Sequence, residues 1–77
     1  MAKQAFILIE ATVGDNKGLV EAVKQLEGVK SVEKVTGPYD IIVQIEGETL
    51  NDIGALISAK IPLIAGISRT VTCLVMD

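Results

Sequence analysis

The segment Ala5-Phe6-Ile7-Leu8-Ile9, closed by Glu10, is apolar at every position. As an extended strand it sends Ile7 and Ile9 to one face and Phe6 and Leu8 to the other, because side chains alternate with a period of two. A sheet with one wet face alternates apolar and polar residues, so this strand demands cover on both sides. The chain has 77 residues to provide it. That is material for one small domain, and such a domain buries roughly 60% of the surface its unfolded chain exposes. The usual supports for so small a core are disulfides, a metal, or association with other chains. Cys73 is the single cysteine and histidine is absent, which excludes an intrachain disulfide and zinc sites of the usual ligand types. Association remains, and a hydrophobic fraction of 49%, mostly Ile, Val and Leu, fits it.

Charge removes further classes. Seven basic residues stand against ten acidic ones, for a net charge of −3. A nucleic-acid binder needs a basic face for phosphates, and aromatic platforms if it takes single strands. Here the basic residues are scattered and the aromatic residues are Phe6 and Tyr39 alone, so direct DNA or RNA binding is not expected. The apolar run after Lys3 is too short for a signal peptide. The run from Ile61 to Ile67 contains Pro62 and is far too short to span a bilayer. The expectation is a soluble protein of the reducing cytoplasm, with no membrane partner.

The pattern predicts one domain over 1–77. Residues 5–11 form the first strand, and Gly14-Asp15-Asn16 ends it and offers helix-capping side chains. Leu19, Val20, Val23 and Leu26 then line one helical face, with Gly28 as a C-terminal cap. Strands are predicted over 29–36 and 41–46, joined as a hairpin by the turn Gly37-Pro38-Tyr39-Asp40. Thr49, with Asp52 three residues on, opens a second helix whose stripe is Leu50, Ile53, Ile57 and Ile61. Pro62 stops it, and residues 68–76 form the last strand. Leu26-Glu27-Gly28-Val29 echoes Ile64-Ala65-Gly66-Ile67, each at a helix-to-strand junction. The order βαββαβ in two related halves predicts an α+β, ferredoxin-like sandwich, a four-stranded antiparallel sheet with two helices on one face.

Two helices cover one face only. The other is expected to expose Phe6, Leu8, Ile42, Leu74 and Met76, and a second copy packing there, sheet on sheet, would make a homodimer of the dimeric α+β barrel kind.

Catalytic constellations are hard to assemble. The commonest general base is absent. Cys73 lies among apolar strand neighbours and reads as a buried structural thiol. The glutamates suit solvated strand ends, and Arg69, the only arginine, reads as a surface or interface ion pair. No phosphate loop is present. The chain is therefore not expected to be an enzyme, and no cofactor or metal is assigned. The best functional candidate is Gly37-Pro38-Tyr39-Asp40. Asp40 could accept the ammonium of a free amino acid, while turn N–H groups and the hydroxyls of Thr70 and Thr72 could donate to its carboxylate. Equally, Asp40 could satisfy turn N–H groups and Tyr39 could simply pack. Residue chemistry leaves the two even.

With Leu26-Glu27-Gly28-Val29, then Val35-Thr36-Gly37-Pro38-Tyr39-Asp40 leading into Ile41-Ile42-Val43, then Gly66-Ile67 before Thr70, Thr72 and Leu74-Val75-Met76, the chain resembles the effector (RAM) domain of the Lrp/AsnC transcription regulators. The likeness runs from Ala5 to Met76. It implies an amino-acid-sensing regulatory module without its own helix-turn-helix DNA-binding domain. In the family such domains pair sheet to sheet, and the dimers assemble into rings, octamers or decamers among them. Amino acids bind between dimers, at residues matching Gly37, Pro38, Tyr39 and Asp40 and at the last strand. A DNA-binding Lrp/AsnC relative is an implied partner. The chain departs from the family in having Ala65-Gly66 where Pro-Gly is frequent. The competing readings are an ACT-like amino-acid-binding domain and a small dimeric α+β-barrel monooxygenase.

Overall fold

The structure, a computed structural model, describes residues 2–12 and 17–76. Its strands are β1 (Lys3–Ala11), β2 (Val29–Lys34), β3 (Ile41–Gly47) and β4 (Ile67–Leu74), and its helices are α1 (Lys17–Lys24) and α2 (Leu50–Ala55). They alternate as βαββαβ and form one antiparallel sheet in the order β2-β3-β1-β4. This is the expected ferredoxin-like α+β sandwich. The predicted capping at Gly14-Asp15-Asn16 lies outside the described residues.

The two central strands build the core. Ala5, Ile7 and Ile9 of β1 and Ile41, Val43 and Ile45 of β3 are fully buried on one face, against Leu19, Val20 and Val23 of α1 and Ile53 of α2. Partners in an antiparallel ladder share a face. Ile7 stands opposite Val43, and Ile9 opposite Ile41, so the buried isoleucines and valine stack in register.

Both helix-to-strand junctions use the same device. Gly28 and Gly66 have φ of 98° and 95°, a left-handed backbone that favours glycine. The Gly28 carbonyl accepts the N–H of Glu46 at 2.8 Å, and the Gly66 carbonyl accepts the N–H of Thr12, also at 2.8 Å. Each glycine thus starts an edge strand by tying it to a central one. The sequence echo is a structural repeat.

The second helix differs from its expected stripe. Its start is as predicted: the Thr49 hydroxyl accepts the Asp52 N–H at 3.1 Å, and the Asp52 carboxylate accepts the Thr49 N–H at 3.2 Å. After α2 the chain widens into a π-helical turn (Leu56–Lys60), where the Ile61 N–H bonds the Leu56 carbonyl, and then tightens into a 3-10 turn (Ile61–Leu63). The wide turn sets Leu56 and Ile61 five residues apart, both turned to the core. Ile53, Leu56 and Ile61 are buried, Ile57 is half-buried, and Leu50 is 55% exposed.

The open face of the sheet also needs correcting. Phe6 stands opposite Cys73, and Leu8 opposite Ile42 and Val71, so these residues share the side away from the helices. Leu74 stands opposite the buried Ala5 and therefore belongs to the helix side. The N–H of Val75 bonds the Gln4 carbonyl at 3.0 Å, continuing the ladder, so Met76 falls on the side of Leu74. The apolar patch is Phe6, Leu8, Ile42, Val71, Cys73 and Val75. Alternation alone gave the right partition of β4 but not its sign, which the register with β1 decides. Cys73 is correspondingly exposed in the chain, not the buried thiol expected.

Candidate functional site

The turn between β2 and β3 is held to the end of β1 by Asp40. Its backbone N–H donates to the Ile9 carbonyl at 2.9 Å, and its carboxylate Oδ2 accepts the Ala11 N–H at 2.8 Å. The Asp40 carbonyl accepts the Val35 N–H at 2.9 Å, which closes the turn. One carboxylate oxygen therefore does what a turn-former does. Gly37 and Pro38 are exposed, while Tyr39 and Asp40 are half-buried.

From the other flank of β1, β4 brings up Arg69. It stands opposite Glu10, and its Nη2 lies 3.9 Å from the Glu10 carboxylate and 3.5 Å from the Tyr39 hydroxyl, to which it donates. The guanidinium carbon is 5.7 Å from the centre of the Tyr39 ring, within cation–π range. Next to it the ladder slips: Glu10 pairs with Arg69 but Ala11 with Ile67, leaving Ser68 as the extra residue of a bulge. The Ser68 hydroxyl donates to Glu10 at 3.5 Å.

The predicted residues divide. Tyr39 and Asp40 meet Glu10 and Arg69 at one end of the sheet. Thr70 is opposite Ile9 and Thr72 opposite Ile7, so both sit on the helix side of β4, away from the face that carries Arg69. Thr72 is a further two residues along the strand, about 6.6 Å from Thr70. The sequence reading assigned Arg69 to an ion pair, which it makes, and missed its contact with the turn. No local sequence signal places it there, because the bulge at Ser68 and the β1–β4 register decide which residue stands abreast of Glu10. None of the predicted residues lines the open groove of about 800 Å³ at the opposite end of the sheet, whose walls include Leu26, Gly28, Glu46, Asp52, Leu56 and Lys60.

In comparison with known proteins, the family model for the Lrp/AsnC ligand binding domain matches residues 4–77. The crystal structure of FFRP-DM1 superposes with a TM-score of 0.89 at 32% identity, covering 96% of this chain and 99% of that one. A Neisseria meningitidis transcriptional regulator, solved as its L-Met complex, shares the fold at a TM-score of 0.86 and 18% identity, with 97% of this chain matched to 50% of the regulator. Among curated proteins, a homocitrate synthase of Sulfurisphaera tokodaii is 37% identical over 51 residues, which are 66% of this chain and only 11% of that enzyme. With the family model matched from Gln4 onward, on a fold that superposes on solved members along nearly its whole length, this chain belongs to the Lrp/AsnC family, in its ligand-binding domain.

Proposed function

We propose that the chain is an amino-acid-binding regulatory module of the Lrp/AsnC type, working as a homodimer, and not a catalyst. The observation that carries the reading is Asp40. Its carboxylate spends Oδ2 on the Ala11 N–H, and a carboxylate has further lone pairs with which to take an ammonium. The rim is Gly37, Pro38 and Tyr39. Thr70 and Thr72 face the other side of β4, and in this reading they reach a ligand held by a neighbouring copy, which makes the site interfacial. The L-Met complex of the meningococcal regulator supports an amino acid as the ligand class.

Dimerisation is proposed through the patch of Phe6, Leu8, Ile42, Val71, Cys73 and Val75. Its surroundings suit an interface: an apolar centre is rimmed by Gln4, Gln44, Glu46 and Glu10, the arrangement of stable protein contacts. Rings of dimers and mixed assembly with a DNA-binding Lrp/AsnC relative belong to the same proposal.

Native mass spectrometry of the protein with each of the twenty amino acids tests it, since occupancy and oligomer size are read together. Binding of one or a few, on a dimer or a multiple of it, is the expected result. A monomer that binds none would overturn the reading. The homocitrate synthase match favours a second use of the same module, control of a biosynthetic enzyme instead of a promoter. Capture of an acyl-transferring synthase by the tagged protein, lost when the bound amino acid is added, would select it.

A further inference from the structure

We propose that Arg69 holds the carboxylate of the amino acid, taking it in place of Glu10, so that Arg69 and Asp40 together read a zwitterion; this rests on the amino-acid reading above. The two charges flank the same end of β1. Asp40 is bonded to Ala11, Arg69 is paired with the preceding Glu10, and Tyr39 joins them as the chain neighbour of one and the hydrogen-bond and cation–π partner of the other.

The guanidinium is oriented but not saturated. Both of its polar contacts among the described residues come from Nη2, at 3.5 Å to Tyr39 and 3.9 Å to Glu10, and the side chain is 62% exposed. A charge-assisted N–H···O bond is about 2.7–2.9 Å long, so neither contact is fully made. An arginine has five donors in a fixed fork, and a carboxylate arriving in its plane takes two of them at once. Glu10, held off at 3.9 Å in an exposed pair, is a weak competitor. The Tyr39 ring lies 5.7 Å from the guanidinium carbon, and the bulge at Ser68 lies beside the position from which the side chain projects. The acidic pair Glu10 and Asp40 also disfavours ligands that are anionic overall, such as phosphate, which leaves a zwitterion as the class that satisfies both charges.

Calorimetric titration of the full chain with the twenty L-amino acids, and with the α-carboxamide of each one that binds, tests the assignment. Arg69→Gln is expected to weaken binding by about ten- to a hundredfold, the loss of one charge-assisted contact. The preference for the free acid over the amide should vanish in that variant, and Arg69→Lys should recover part of it. Glu10→Gln should tighten binding severalfold, by removing the competitor. Thermal melts should stay unchanged, because the residue is exposed. Wild-type affinity in Arg69→Gln, or equal affinity of wild type for acid and amide, would overturn the role of Arg69. If Asp40→Asn meanwhile loses binding, the amino-acid reading stands without it. If no amino acid binds the wild type, that reading falls and the role of Arg69 with it.

Discussion

Asp40 bonds β1 twice, through its own N–H to Ile9 and through its carboxylate to the Ala11 N–H. At the level of residues this changes what a substitution there should do. A turn aspartate at a strand mouth reads as removable without harm to the fold, but here Asp40→Ala leaves a half-buried N–H without its partner, at a cost of about 1–3 kcal/mol. Chemical denaturation should register that loss. Asp40→Asn keeps an oxygen acceptor for Ala11 and removes the charge, so it should stay near wild-type stability while losing amino-acid binding. The pair of variants separates turn formation from ligand binding, which the sequence alone left even.

At the level of elements, the second helical segment shows how one proline reshapes a stripe. Pro62 has no N–H to give to the carbonyl four residues back, and its ring crowds that carbonyl. The chain answers with a π-helical turn before it and a 3-10 turn from Ile61, so that Leu56 and Ile61, five residues apart, are both buried. Gly54 lies in α2 on the exposed side, and a Cβ there would meet nothing within 4 Å. Gly54→Ala should therefore stabilise the protein by about 0.5–1 kcal/mol, because glycine is a poor helix former. Thr49→Ala should cost about 1 kcal/mol, since it removes the acceptor for the Asp52 N–H. Denaturation midpoints moving in opposite directions would check both.

For the whole molecule, the face correction makes the proposed dimer sharply testable. Leu8 belongs to the patch on the open face, whereas Leu74 is half exposed on the helix side. Leu8→Lys should split the dimer and lower the melting temperature together, because folding and association are coupled in a chain with so small a core. Leu74→Lys should leave the dimer intact. Sedimentation of both variants at micromolar concentration decides it, and the reverse pattern would move the interface to the other side of β4. An isologous pairing buries the same patch twice and closes on itself, so it needs no further copies to satisfy the open face.

Periodicity and punctuation determined a great deal from local chemistry alone. The βαββαβ order, the Thr49–Asp52 cap and the two junction glycines all follow from residues within a few positions of each other. The motif around Asp40 also placed the turn between β2 and β3, since glycine, proline and aspartate shape a turn locally. What required the tertiary structure is whatever depends on pairing distant segments. Which face Val71, Cys73 and Val75 share is set by the β1–β4 register, and a slip of one residue inverts every side chain. That Arg69, thirty residues beyond Tyr39, meets it across the end of β1 is likewise a product of strand order, because β1 lies between β3 and β4 and brings both to its last residues.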